Sequence, residues 1–236
     1  MDITSFEHIA NNPKLKFDAT TGPVLTSTTI ISQNYLDNAF MITDASLLLR
    51  NSSNKEIIRN LLSFGYYNWL PEYFFTTPAS STGKYHPAFA NRKNGLVLHT
   101  IAAMHFLVEL CDIIDLDNNT FNEMIAAIFF HDMFKYGDPA TYKPGKYTDH
   151  GHPTYAADFL KYIATSNIYF SPDDKENTEM LLRISNLVAK HMGPYTTNKY
   201  SNVILQAPET CYELIVQKAQ LLASKKETSF VERYIT

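Results

Sequence analysis

The segment GLVLHTIAAMHFLVELC, beginning at Gly95, contains no proline and no charge before Glu109, so it reads as one apolar helix. On it Leu96, His99, Ala102, Ala103 and Phe106 share a face, which points His99 where core side chains point. The same period recurs along the chain. NKEIIRNLLSFGYYNWL puts Ile57, Leu61, Phe64 and Trp69 at helical intervals before Pro71 ends it. Thr120 followed by Glu123 is a capping-box pattern opening FNEMIAAIFF, which runs into His131 and Asp132. His152-Pro153 starts PTYAADFLKYIA with proline at its tolerated first position. Ser171-Pro172-Asp173-Asp174 caps EMLLRISNLVAKHMG, which Gly193 and Pro194 stop just after His191. Pro208-Glu209 opens TCYELIVQKAQLLASKK. At least six helices and little strand predict an all-α domain with a site between its helices.

Residues 1 to 53 lack a sustained helical period, and TGPVLTSTTIISQ suits one or two short strands, so an N-terminal arm or small lobe is expected ahead of a helical domain over 54–236. With 45% hydrophobic and 19% charged residues the chain fills a core. Its net charge of −4 gives no field to gather a long nucleic acid. Only Cys111 and Cys211 are present, without a Cys-x-x-Cys pair, and no apolar run reaches the roughly 20 residues of a bilayer helix. A cytoplasmic setting with no membrane partner is expected.

Among eight histidines, His131 is followed directly by Asp132. Imidazole and carboxylate together suit a divalent transition metal, and a carboxylate can bridge two ions. By itself such a dipeptide is weak, because it also arises at ordinary helix ends. Its context adds to it: GLVLHT carries one histidine on an inward face, and HPTYAADFL starts another helix with a second.

Together these segments resemble the HD-domain superfamily of metal-dependent phosphohydrolases. GLVLHT resembles the family's Gly-Gly-Leu-x-x-His-Thr, HDMFK its His-Asp-x-x-Lys, and HPTYAADFL its His-Pro-x-x-x-Ala-x-x-Leu. AKHMGPY and KAQLLASKK fall where that family carries a further histidine and its Ala-Asp-x-Leu-Ala-Ser motif, so the likeness spans residues 83–226. It implies an HD-domain helical bundle in which His99, His131 and Asp132 ligate one metal while His152 and His191 complete a second position. The spacing of Pro153 and Ala157 selects His152 over His150. Asp132 would also orient the attacking water, and Lys135 would contact a phosphate oxygen. Lys84 and His86, in SSTGKYHPAF, are nominated as substrate-binding.

The resemblance further implies one or two ions of Mn, Fe, Zn, Ni or Co, with Mg also allowed, and a nucleotide, cyclic nucleotide or short oligonucleotide as substrate of a phosphodiesterase or nucleotidase. One position departs. Gln220 stands where the family's last ligand is an aspartate, and a neutral amide is the poorer ligand for a hard cation. Three arrangements accommodate it: Gln220 ligates through its carbonyl, Asp138 or Asp149 substitutes, or the protein is a catalytically impaired binder of a phosphorylated ligand. Plainer readings stand beside these. Lys135 is also a cation near a helix C-terminus. Lys84, Arg92 and Lys93 read equally as solvated loop charges, and His8 and His105 as ordinary histidines. Tyr66, Tyr67, Trp69, Tyr73, Phe74 and Phe75 read as packing aromatics.

Overall fold

A computed structural model describes residues 1, 3–11, 15–18, 22–25, 31–166, 168–171 and 173–226. Among them the fold is all-helical apart from one small hairpin. The helices are α1 (Ile3–Asn11), α2 (Gln33–Asp37), α3 (Phe40–Leu48), α4 (Lys55–Asn68), α5 (Gly95–Cys111), α6 (Asn118–Phe130), α7 (His152–Thr165), α8 (Lys175–Ala189) and α9 (Cys211–Ala223). Between α1 and α2, β1 (Leu15–Asp18) and β2 (Gly22–Leu25) pair antiparallel, Leu15 opposite Leu25. Residues 19–21 and 26–30 of the strand-prone segment, Pro172 and the tail 227–236 lie outside the described residues.

Helix α5 runs through the middle, packed by α9, α6 and α3. Its residues Gly95 to Met104 are all buried, as expected of a helix apolar on every side. Helices α7 and α8 pack closely on each other, and α8 lies against α6. The aromatic segment that runs from the end of α4 packs as its composition predicts: Tyr66, Trp69, Tyr73, Phe74 and Phe75 are buried. Trp69 meets Phe64, Phe130 and Phe159 at ring separations of 5.4 to 5.8 Å.

Three local expectations are corrected. The strand expected before residue 50 is there as β2, but among the described residues the same region also holds α1, α2 and α3, and α2 and α3 bury Tyr35, Met41 and Ala45 in the common core. Helix α3, FMITDASLL, displays no period because its apolar residues lie on both faces: Met41 and Ala45 are buried while Phe40 and Leu47 are exposed. Helix α6 begins earlier than the Thr120 pattern implies, because Asp117 accepts the N–H groups of Asn119 and Thr120. Glu123 instead takes a two-pronged bond from Arg183 on α8, at 2.7 and 2.9 Å. The last helix is opened by Thr210, whose capping box with Glu213 satisfies its first N–H groups.

Candidate metal centre

Four segments bring their polar residues to one place inside the bundle. His99 comes from the second turn of α5, His131 and Asp132 from the turn that ends α6, His152 from the first residue of α7, and His191 from the turn after α8. His99, His131, Asp132 and His191 are wholly buried and His152 is nearly so. The loop before α7 is tied to the turn after α6: Asp149 donates its N–H to the Lys135 carbonyl at 2.8 Å and accepts the Gly151 N–H on its carboxylate.

Three of the four rings are held by the same device. His131 Nδ1 lies 2.6 Å from the Ile128 carbonyl, His152 Nδ1 2.6 Å from the Asp149 carbonyl, and His191 Nδ1 2.8 Å from the Val188 carbonyl. A carbonyl only accepts, so each Nδ1 carries a hydrogen, and a ring with that hydrogen alone turns a bare Nε2 inward. His99 differs, for its buried Nδ1 has no hydrogen-bond partner.

The inward nitrogens meet each other and one carboxylate. His131 Nε2 lies 3.3 Å from His99 Nε2, and His152 Nε2 lies 3.2 Å from His191 Nε2. Asp132 Oδ2 is 3.1 Å from His131 Nε2 and 3.6 Å from His99 Nε2. Its other oxygen, Oδ1, is 3.0 Å from His152 Nε2 and 3.7 Å from His191 Nε2. Thus His99, His131 and Asp132 form one group able to hold a metal, and Asp132, His152 and His191 form another.

Lone pairs facing lone pairs at 3 Å in a buried site repel, and Asp132 Oδ1 has no hydrogen-bond donor. A cation resolves both faults. Donors bound to one ion at about 2.1 Å stand about 3.0 to 3.4 Å apart in octahedral or tetrahedral geometry, close to the spacings here. Imidazole with carboxylate is also the donor set of Mn, Fe, Co, Ni and Zn. These residues therefore fit one or two such ions.

Electrostatics keep the donors ready. Burial works against the Asp132 charge, but His131 and Lys135 outweigh it and hold the carboxyl well below the usual range. Burial, reinforced by His86 and Lys135, keeps the His99 ring neutral well below pH 6.5. His191 is held down likewise, by burial and then by His131 and His152.

The remaining nominated residues divide. Lys135 is buried, and its ammonium pairs with Asp132 Oδ2 at the cluster. His86 is buried edge-on to His99, ring centroids 4.9 Å apart, and burial followed by Lys135 lowers its pKa to about 3. Gln220 is close by, but its amide donates to Ser224 Oγ at 3.4 Å, and Ser224 in turn lies 3.5 Å from His86 Nε2. Lys84 is exposed in a turn, where its N–H donates to Thr82 Oγ1, away from the cluster's own hydrogen bonds. Asp138 caps a short turn at Pro139–Thr141 and accepts from Ser5. Asp149 serves His152 through its main-chain carbonyl, a role no side-chain motif announces. Compared with known proteins, the chain matches no family model, no curated protein and no solved structure.

Proposed function

We propose that this chain is an HD-type helical bundle acting as a metal-dependent phosphohydrolase, one that cleaves a phosphoester or phosphodiester of a nucleotide, cyclic nucleotide or short oligonucleotide. The observation that carries the reading is a buried set of inward-turned imidazole nitrogens around a single carboxylate, with three rings fixed from behind by main-chain carbonyls. His99 and His131 would hold one ion with Asp132 Oδ2, and His152 and His191 a second with Oδ1. When bound, a divalent ion supplies Lewis acidity toward a phosphoryl oxygen and makes water acidic near neutral pH.

The chain's own groups do the rest. Asp132 orients both histidine pairs and keeps its charge. Lys135 holds a positive charge at the cluster wall, where negative charge grows on a phosphoryl group in the transition state. The apolar helices α5 and α6 exclude bulk water around the site, which strengthens each of these interactions. A cytoplasmic location suits the two free cysteines, Cys111 and Cys211.

Elemental analysis of protein prepared without chelators, with hydrolysis of a nucleotide panel in Mn²⁺, tests the reading. The wild type is expected to hold one or two equivalents and to turn over a nucleotide, and the double variant His131→Ala, Asp132→Ala to do neither. Metal-free wild type after Mn²⁺ and Fe²⁺ addition, or hydrolysis by the double variant at the wild-type rate, sinks it. Gln220 supports a second reading, in which the pocket binds a phosphorylated ligand without cleaving it, because its amide bonds to Ser224 and adds no negative charge to the ligand set.

A further inference from the structure

Three turns beside the cluster present the same pair of residues at their tips: Gly83-Lys84-Tyr85, Gly145-Lys146-Tyr147 and Asn198-Lys199-Tyr200. Gly83 and Gly145 adopt φ of +65° and +82°, the left-handed region that favours glycine, and open space surrounds both. In the third turn the Asn198 side chain accepts the Tyr200 N–H at 2.9 Å. The tyrosines stand out into solvent, with Tyr85 72%, Tyr147 73% and Tyr200 84% exposed. Lys199 Nζ sits 4.6 Å from the centre of the Tyr200 ring, so cation and aromatic face lie together. Two other Lys-Tyr pairs have different settings: Lys135-Tyr136 is buried and Lys161-Tyr162 lies on α7.

The three turns border one another and the metal centre. Thr148 donates its N–H to Ser81 Oγ at 3.3 Å, joining the first turn to the second. His150 Nε2 lies 3.4 Å from the Thr196 carbonyl, joining the second to the third. The first leads into His86, which packs on His99; the second ends at His152; the third starts just past His191. Segments 80–94, 142–151 and 193–205 hold six lysines and arginines and one acid, Asp149, in a chain whose net charge is −4. The positive charge is thus local to the rim.

We propose that these turns form a docking rim for a single-stranded oligonucleotide, each tyrosine stacking a base and each adjacent lysine meeting a phosphate. Aromatic faces accept any base, and basic groups beside them follow the backbone, which is how unpaired strands are held. Duplex bases are already stacked on each other and do not use such a rim. The proposal rests on the phosphohydrolase reading only for its purpose, delivery of a phosphodiester to the histidine cluster.

The test is fluorescence anisotropy with a labelled oligouridylate of about 12 nucleotides, in chelator so that binding is read without hydrolysis. Each of Tyr85→Ala, Tyr147→Ala and Tyr200→Ala is expected to weaken Kd about fivefold or more, since a stacked base contributes that much. Each of Lys84→Ala, Lys146→Ala and Lys199→Ala is expected to lower the slope of log K against log salt by about 0.7. A triple tyrosine variant within about twofold of wild type, or a duplex binding as well as the single strand, overturns the rim. So does a triple variant with altered sedimentation mass and unaltered oligonucleotide binding, which identifies a protein interface. Wild type is assayed in parallel with Mn²⁺ on the p-nitrophenyl ester of thymidine monophosphate. No turnover there, with rim-dependent binding intact, removes the phosphohydrolase reading and leaves the rim standing.

Discussion

Lys190 and His191 are neighbours in the chain, both buried, and each belongs to a polar cluster. Around Lys190 every acceptor faces a donor. Its ammonium donates to Glu209 at 2.8 Å and to Glu213 at 3.0 Å. The Glu213 carboxylate also accepts from Asn186 and from the N–H groups of Glu209 and Thr210. Around His191 the order is reversed: the donors turn outward to main-chain carbonyls, and the acceptors face each other. The first arrangement is complete as a folded structure and needs nothing more. The second leaves acceptors facing acceptors, an arrangement that a bound cation would satisfy, so equal burial accompanies a closed hydrogen-bond network in one place and groups able to hold a metal in the other.

The contrast is broken most severely at Asp132. Asp132→Asn keeps the shape and removes the carboxylate that, among the described residues, both groups able to hold a metal share. Metal content is expected to fall to background and hydrolysis by about 1,000-fold or more, read by elemental analysis and initial rates. Retention of metal by this variant would show that the imidazoles hold the ion unaided.

Acid separates the two clusters next. His86, His99 and His191 have lowered pKa values in the folded protein, so the unfolded chain takes up protons first. The stability they provide is full above about pH 6.5 and is lost as pH falls below it. Each contributes up to about 1.4 kcal/mol per pH unit until its folded value is reached, which for His86 is about 3. Burial opposes the Glu213 charge, but the Glu209 N–H and then Lys190 prevail, so its pKa lies below 4.5 and its contribution is lost only in stronger acid. Thermal midpoints in chelator are therefore expected to drop by roughly 10 °C between pH 7 and 5.5. A flat profile across that interval would contradict the neutral, buried histidines.

Glu213→Ala probes the matched cluster. It leaves Lys190 buried with one exposed partner and removes the capping box of α9, at a cost of about 3 kcal/mol. The midpoint should fall by about 8 °C with metal stoichiometry unchanged. Loss of metal in this variant would mean that the Lys190 network positions His191, and that the two clusters act as one.

How much of this was legible in the chain follows from the range of each interaction. Helices α4 to α9 are written in local period, caps and proline, and the sequence places His99, His131, Asp132, His152 and His191 on segments that do converge. Helices α1, α2 and α3 carry no such sustained signal: α2 is five residues long, and α3 mixes buried Met41 and Ala45 with exposed Phe40 and Leu47. The start of α6 was misplaced because two capping patterns overlap, and the choice between them involves Arg183, 60 residues away. The Lys-Tyr rim was invisible for the same reason: its three turns are far apart in sequence and meet only in the fold.

Gln220 is where sequence and structure pull apart most finely, and it supports the smallest prediction. By its place in KAQLLAS it reads as a weakened ligand; in the fold its amide donates to Ser224 Oγ, and Ser224 lies beside His86. The Gln220 amide is engaged with that serine, and the histidine groups around Asp132 are assembled without it. Gln220→Asp adds a negative charge and removes the amide donor to Ser224. Hydrolysis and metal content are therefore expected not to rise, because a carboxylate buried at this position with no ion or donor to face is disfavoured by desolvation. A gain of about 100-fold, equivalent to roughly 2.7 kcal/mol of transition-state stabilisation, would show that a carboxylate at this position completes a deficient site, and would favour the ligand-binding reading for the natural chain.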